Sequence, residues 1–199
     1  MIEFIEINKS KPYNRLAQLY ELAVSNNQNN IEAISISSYS KANNEVESRF
    51  VNLKYIRDNE WIFFTNYESS KCIQLGEHNQ ISALFYWDAI NVQIRLKAKI
   101  YKTDPVFSDT HYQKRSLEKN ALAHSSNQSR VISSYEEVNK KYHDQILSPT
   151  KLVKRPEYWG GISFEPYFFE FWEGHESRIN KRDVFINTNS KWDNFVLEP

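Results

Sequence analysis

The sequence predicts a mainly β protein, an α+β chain in which an antiparallel, Greek-key-like barrel or strongly curved sheet carries helices on its outside. Segments of alternating apolar and polar residues recur along the 199 residues and are joined by short polar connections. In about four further segments, apolar residues recur at helical spacing. Seven or eight strands with helices between them are typical of a barrel with peripheral helices.

The first half of the chain predicts two helices and five strands. Apolar residues at helical spacing predict a helix from Pro12 to Ser25, and the polar run 26–30 ends it. A second helix is predicted for 69–79, with Ser69 or Ser70 as its N-cap and with Ile73 and Leu75 facing inward. A polar loop is expected at 40–47 and a turn at 58–59. The predicted strands are 31–36, 50–56, 61–64, 81–87 and 92–101.

The second half predicts two charged surface helices followed by strands. Ser108 with Asp109 is a typical N-cap for a helix that continues to about Leu122, and apolar residues four apart predict another helix from Tyr135 to Leu147. The predicted strands are 162–164, 168–172, 184–186 and 192–197. A length of 199 residues fits one domain, with the helix and turn of 1–30 at one end and the strands of 150–199 at the other.

Composition excludes several classes of function. Twenty-five Lys and Arg balance 25 Asp and Glu, which disfavours a bulk nucleic-acid or membrane-surface binder. A single cysteine, Cys72, excludes internal disulfides and a cysteine-rich zinc site, and no HxH or HExxH spacing among the five histidines indicates a metal. The N-terminus shows no export signal and no run is long enough to span a membrane, so we expect a cytoplasmic protein.

Two groups of basic residues suggest an anionic ligand. Arg49 and Lys54 bracket one strand, and Lys71 stands at a predicted helix start, where backbone N–H groups add to its charge. A second group, 178–182, follows Trp172, and basic groups beside a tryptophan suit a planar anion. Taken alone, both groups also fit solvated charges at strand edges.

Two segments, 48–54 (SRFVNLK) and 63–71 (FFTNYESSK), resemble the opening signatures of the pyridoxamine 5′-phosphate oxidase family. Further matching segments follow in the family's order. They are LFYW at 84–87, NVQIR at 91–95, SNQS at 126–129, RPEYWGG at 155–161, EFWEG at 170–174 and SRINKR at 177–182. The resemblance covers about residues 12–199 in unbroken order.

The resemblance implies an FMN-binding split β-barrel that forms a homodimer with two FMN molecules at the subunit interface. Cations and a helix end would hold the FMN phosphate, and amides, guanidinium groups and aromatic rings would hold the flavin. The FMN-contacting positions that the resemblance implies are Arg49, Phe50, Val51, Asn52, Leu53, Lys54, Phe64, Thr65, Ser70, Lys71, Gln93, Gln128, Ser129, Trp172 and Arg182.

The resemblance also implies the substrate, pyridoxamine or pyridoxine 5′-phosphate. Lys54 and Tyr112 match two family positions that bind its phosphate, and Arg115 matches a third if one residue is deleted in the helix after Tyr112. A serine of the family is replaced by Lys119, or by Asn120 if that gap falls elsewhere. The family's Arg-x-His over the substrate ring becomes Arg178 and Asn180, which are the expected catalytic residues. The list of substrate-binding positions is therefore Lys54, Tyr112, Arg115, Lys119, Arg178 and Asn180.

Further departures from the family pattern are Ser70, where an Arg is usual, and His124, where a Trp is usual. Because the substrate positions depart more than the cofactor positions, FMN is the firmer expectation. The leading hypothesis is an FMN-dependent oxidase that resembles pyridoxal 5′-phosphate synthase, uses O2 and gives H2O2. The alternatives are an FMN oxidase of another planar substrate, of the phenazine-pathway type, and a non-catalytic protein that binds FMN or pyridoxal phosphate.

Overall fold

A computed structural model describes the whole chain, Met1–Pro199, with nine strands and five α-helices. The strands are β1 (Glu3–Ile5), β2 (Ala33–Ser40), β3 (Glu45–Arg57), β4 (Glu60–Asn66), β5 (Gln80–Trp87), β6 (Val92–Lys102), β7 (Trp159–Glu173), β8 (Lys181–Thr188) and β9 (Lys191–Val196). The helices are α1 (Lys11–Ser25), α2 (Ser70–Glu77), α3 (Pro105–Gln113), α4 (Leu117–Ser125) and α5 (Tyr135–Ile146), with short 3₁₀ turns at Asp88–Ile90 and Pro149–Val153.

Six of the strands close into a barrel. Around the ring, β3 pairs with β2, β2 with β5, β5 with β6, β6 with β7, β7 with β4, and β4 with β3 again, all antiparallel. The strands β8 and β9 continue the sheet beyond β7, and the short β1 pairs in parallel with β3. The predicted antiparallel barrel is therefore confirmed, with β1 as an addition because three residues are too few to show alternation.

Burial follows the alternation that the sequence shows. In β2 and β6 every second side chain is buried, because successive residues of a strand point to opposite faces. The buried set fills the barrel with large aromatic rings, among them Trp61, Phe85 and Phe169, while Tyr13 and Leu16 of α1 cover one side of this core. None of the five helices is long and apolar enough to cross a membrane.

The predicted single helix from Ser108 to about Leu122 is wrong, because two helices replace it. Asp104 is the N-cap of α3, and its carboxylate accepts backbone N–H bonds from the first turn while Pro105 occupies N1. Ser108 lies inside this helix and is fully buried. Ser116 is the N-cap of α4, where its hydroxyl accepts a bond from the Lys119 N–H.

Three smaller expectations also change. Ile73 does not face inward, since it is 51% exposed, whereas Leu75 is buried as predicted. The loop predicted at 40–47 is shorter, because β2 continues to Ser40 and β3 begins at Glu45. The strand segments predicted at 162–164 and 168–172 belong to one long strand, β7, whose register with β6 shifts between Lys97 and Ala98.

Candidate functional site

A cleft of about 590 Å³ lies between the strand pair β3–β4, the start of α2 and the α3–α4 corner. It collects residues that are far apart in the sequence. The residues predicted from the sequence that line it are Phe50, Val51, Asn52, Lys54, Phe64, Thr65, Lys71, Arg115, Lys119 and Gln128. Tyr55, His111, Lys114, Ser116 and Trp159 line it as well, although the sequence analysis assigned none of them to a site.

Lys54 enters the cleft because β3 is irregular at this point. The register with β4 shifts between Leu53 and Tyr55, which makes Lys54 the extra residue of a bulge. In a regular strand, neighbouring side chains would point to opposite faces, but here both Lys54 and Tyr55 line the cleft. The Lys54 ammonium lies 3.7 Å from a Glu32 carboxylate oxygen outside the cleft, so part of its charge remains available.

Lys71 is a buried cation that has no carboxylate partner. It is 9% exposed, and its Nζ donates a hydrogen bond of 3.0 Å to the Ser69 hydroxyl at the start of α2. Burial lowers the pKa of this ammonium below its ordinary value. The Ser69 side chain caps no backbone N–H, so the first turn of α2 also presents donors. An anion placed here would offset the cost of the buried charge.

The electrostatics of the cleft favour a strongly charged anion. Five cations line it, namely Lys54, Lys71, Lys114, Arg115 and Lys119, and none of the lining residues is a carboxylate. The Nη1 of Arg115 is buried without a hydrogen-bond partner, while its Nη2 donates to the Lys119 carbonyl at 2.8 Å. An unpaired guanidinium nitrogen is costly unless a ligand accepts its bond. The donor set therefore suits one or more phosphates.

Aromatic rings form one wall of the cleft. The rings of Phe64 and His111 stack with centroids 3.7 Å apart and 10° between planes, and Trp159 lies nearly parallel to both. The Arg115 guanidinium sits 4.2 Å from the centroid of Trp159. Such a wall gives a planar ligand a flat apolar surface beside the cations.

The structure separates the neighbours His111 and Tyr112. Tyr112, which is predicted to bind the substrate phosphate, is fully buried, its hydroxyl has no hydrogen-bond partner, and it does not line the cleft. The ring of His111 lines the cleft instead. Arg115, in the turn that follows α3, lines the same cleft.

We expect His111 to make the chain less stable in mild acid. Burial, followed by the charges of Arg115, Lys54, Lys114 and Lys119, lowers its pKa to about 4. Between pH 6.5 and 4, His111 therefore binds a proton in the unfolded chain but not in the folded one. The free energy of unfolding is lost as pH falls from 6.5 towards 4. With an allowance for solvent around this half-buried ring, the loss is about 2 kcal/mol.

The measurement is urea unfolding between pH 7.5 and 4 for the wild type and for His111→Phe. Phenylalanine keeps the stack on Phe64 but binds no proton, so the difference in free energy of unfolding between the two proteins should change by about 2 kcal/mol between pH 7.5 and 4. If the free energies of the two proteins change equally with pH, His111 does not titrate as described.

A second group of predicted residues forms one row elsewhere on the sheet. Gln93 on β6 pairs with Trp172 on β7, which pairs in turn with Arg182 on β8. Glu170 is 3% exposed and accepts hydrogen bonds from Arg182 and Arg95. Burial alone would raise the pKa of Glu170, but the bonds from Arg95 and Arg182 outweigh it and lower that pKa. The carboxylate therefore holds Arg182 in place.

This row and the cleft are formed by different parts of the sheet. Trp159 lines the cleft at the beginning of β7, and Trp172 follows 13 residues later on the same strand. At about 3.3 Å per residue, the path along the strand between them is about 40 Å. None of Gln93, Trp172 and Arg182 lines the cleft. The cleft of one chain therefore lacks this row of predicted FMN-contacting residues.

Arg178 and Asn180, the expected catalytic pair, lie in the loop between β7 and β8. Arg178 holds a left-handed backbone at φ 61°, which is strained for a residue with a side chain. The Asn180 Oδ1 accepts a hydrogen bond of 3.0 Å from the His175 backbone N–H and so closes the loop. Neither residue lines the cleft of its own chain.

The remaining predicted positions lie beside the cleft or behind it. Arg49 points to the middle of α2 and donates hydrogen bonds to Gln74 there and to Ser38 on β2. Leu53 is fully buried, which leaves only its backbone for a ligand. The hydroxyls of Ser70 and Ser129 are 3.3 Å apart, next to Lys71 and Gln128.

Comparisons with known proteins match this description. A family profile described as the pyridoxine 5′-phosphate oxidase C-terminal dimerisation region matches residues 159–199. The pyridoxine/pyridoxamine 5′-phosphate oxidase of Cytophaga hutchinsonii is 36% identical over 156 residues, which are 76% of this chain and 72% of that protein. The one from Acinetobacter baumannii is 29% identical over 193 residues, 96% of this chain and 88% of that protein.

Two solved structures share the fold over nearly the whole chain. PhzG from Burkholderia lata, in complex with tetrahydrophenazine-1-carboxylic acid, superposes with a TM-score of 0.89 at 23% identity, covering 96% of this chain and 93% of its own. A pyridoxamine 5′-phosphate oxidase-related, FMN-binding protein from Nostoc punctiforme superposes with a TM-score of 0.76 at 12% identity, covering 96% and 98%. The predicted split-barrel fold is thereby confirmed.

Proposed function

The chain belongs to the pyridoxine/pyridoxamine 5′-phosphate oxidase family, and from this premise we propose that it oxidises pyridoxamine or pyridoxine 5′-phosphate to pyridoxal 5′-phosphate, with FMN as cofactor and O2 as final acceptor, giving H2O2. The observation that carries the proposal is the cleft of five cations without a carboxylate, walled by flat aromatic rings. These features suit ligands that combine a phosphate with a planar ring.

The residues present fit FMN. Lys71 is buried without a carboxylate partner at a helix start, beside Ser70 and Ser129, and these groups would hold the FMN phosphate. Phe64 and Thr65 on β4, with Gln128, would lie against the rest of the cofactor. When bound, FMN supplies the acceptor for the hydride removed from the substrate, which no side chain of the chain can replace.

The chain's own residues would bind and orient the substrate. Lys54, Arg115 and Lys119 would hold its phosphate, since the unpartnered Nη1 of Arg115 requires an acceptor. Arg178 and Asn180 would lie over the substrate ring and fix the angle of the reacting carbon. Asn180 can donate and accept hydrogen bonds but cannot carry a proton near neutral pH.

We propose further that the site is completed in a homodimer with FMN at the subunit interface. Arg178, Trp172 and Arg182 would then reach the cleft of the partner subunit, since none of them lines the cleft of its own chain. The match of 159–199 to a dimerisation region supports this arrangement. So does the exposed apolar surface at the end of the sheet, where Ile179, Phe195 and Val196 are 66%, 41% and 68% exposed.

Incubation of the purified, FMN-loaded protein with pyridoxine 5′-phosphate in air tests the proposed reaction. Formation of the aldehyde together with H2O2 is the expected result. Bound FMN without turnover of either phosphorylated vitamer would contradict the proposal. We propose that the enzyme acts in the cytoplasm and that residues 1–199 form a single domain.

A second candidate, an FMN oxidase of another planar substrate, is favoured by one observation. The Asn180 amide is engaged with the His175 backbone and offers no proton-carrying group to the substrate ring. Lys119 also brings a full charge to a position where the family has a serine.

Asn180→His separates the two candidates. If pyridoxine 5′-phosphate is the substrate, an imidazole over its ring should raise kcat/KM by about tenfold, while loss of the bond to His175 costs about 1 kcal/mol of stability. Steady-state kinetics and urea unfolding measure the two effects. Asn180→Asp, which keeps an acceptor for the His175 N–H, is the control. An unchanged kcat/KM for Asn180→His would favour the second candidate.

A further inference from the structure

His111 has free hydrogen-bonding capacity beside the cations of the cleft. Its Nδ1 and the Tyr55 hydroxyl are 2.9 Å apart. Its Nε2 has no hydrogen-bond partner within the chain and is not buried, so it is accessible to a ligand. The stack on Phe64, at 3.7 Å and 10°, fixes the plane in which Nε2 lies. The ring is therefore held from two sides and open on a third.

The surroundings of the ring select an anionic acceptor. Lys54 faces it from β3, Lys114 and Arg115 from the turn after its own helix α3, and Lys119 from α4, while Tyr55, Phe64 and Trp159 are uncharged. Burial and these charges hold the pKa of His111 at about 4, so the imidazole is neutral near pH 7. When the Tyr55 hydroxyl donates to Nδ1, the neutral ring carries its hydrogen on Nε2 and can donate it.

We propose that His111 is a substrate-binding residue that donates a hydrogen bond from Nε2 to the substrate phosphate, in the role that the sequence pattern assigned to Tyr112. The inference rests on the proposed function, because it names a contact to that substrate. Arg115 lines the same cleft from the turn after α3, so the two side chains can contact one anion together. A neutral donor adds to Lys54, Arg115 and Lys119 without increasing the charge repulsion among them.

Binding of 4-deoxypyridoxine 5′-phosphate, which lacks the group that is oxidised, tests the inference without turnover. Calorimetry on the FMN-loaded protein measures Kd for this ligand and for 4-deoxypyridoxine, which lacks the phosphate. For His111→Phe, which keeps the stack, we expect Kd for the phosphorylated ligand to rise about tenfold while Kd for the other ligand changes less than about twofold. His111→Gln, which restores a donor at a similar reach, should recover most of the lost affinity.

His143→Phe, on the exposed surface of α5, is the matched control for a His→Phe change. An unchanged Kd in His111→Phe, or a loss in Tyr112→Phe in its place, would overturn the inference. Failure of the proposed function would look different, because the wild type would then show no preference for the phosphorylated ligand. Thermal melts of each variant confirm that it is folded.

Discussion

Replacement of Lys71 by methionine should stabilise the FMN-free protein and weaken its binding of FMN. The ammonium is 9% exposed and has no carboxylate partner, so its removal relieves a desolvation cost of about 1 kcal/mol. The same change removes a charge-assisted bond to the FMN phosphate, which should raise Kd for FMN by about 10- to 100-fold. Opposite signs for the two effects distinguish a ligand-binding lysine from a structural one.

Flavin fluorescence titration and urea unfolding of the FMN-free protein measure the two effects, with Lys99→Met on the exposed face of β6 as control. The pKa of Lys71 is lowered by burial, so the cost of its charge is present at neutral pH and is relieved as pH rises towards its ordinary value of 10.5. The stability advantage of Lys71→Met should therefore shrink at alkaline pH. A less stable FMN-free variant would refute this description of Lys71.

Glu170→Gln should be the most damaging single polar substitution in the sheet. The Glu170 carboxylate is 3% exposed and accepts bonds from Arg95 and from Arg182, the latter at 2.8 and 2.9 Å. Its neutral replacement leaves two guanidinium groups without a counter-charge and costs about 3 kcal/mol. Arg182 also loses the group that positions it, so FMN affinity should fall together with stability.

Urea unfolding at pH 7 and at pH 4 measures the stability change, with Glu157→Gln at an exposed site as control. Because the two arginines lower the pKa of Glu170, its contribution is present above the ordinary carboxylate pKa and is lost as pH falls through the lowered value. The difference in free energy of unfolding between wild type and Glu170→Gln should therefore be smaller at pH 4 than at pH 7. Stability equal to that of the wild type at pH 7 would contradict the positioning role.

Local patterns in the sequence were enough to predict the barrel. Alternation in β2 and β6 marks their buried faces, and a polar turn at Asp58-Asn59 marks a hairpin, because these signals arise within a few residues. The start of α3 differs from the prediction because Asp104 competes with Ser108 as an N-cap, and Pro105 at N1 favours Asp104. The chain then divides into two helices because Ser116 is the N-cap of α4. Ile73 was misplaced because a helix of eight residues shows too few apolar positions to define a face.

The site was predictable in its residues and less so in its geometry. Lys54 and Lys71 could be predicted because cations near a strand and a helix start suit an anion and because both match ligand positions of the family. The bulge that turns both Lys54 and Tyr55 into the cleft depends on pairing with β4, which no local pattern reveals. The separation of Trp159 from Trp172 along β7 is likewise a property of the fold, and it divides the predicted positions into two groups.

We propose that two copies of the chain build each FMN site, one supplying the cleft and the other the row around Arg182. Differently tagged Lys71→Met and Arg182→Gln chains, co-expressed and purified through both tags, test this claim most directly. In a mixed dimer one site carries both substitutions and the other carries neither. We predict one wild-type-like FMN site and turnover of pyridoxine 5′-phosphate in the mixed dimer, although each parent variant is impaired. Mixed dimers as impaired as their parents, at both sites, would contradict the account.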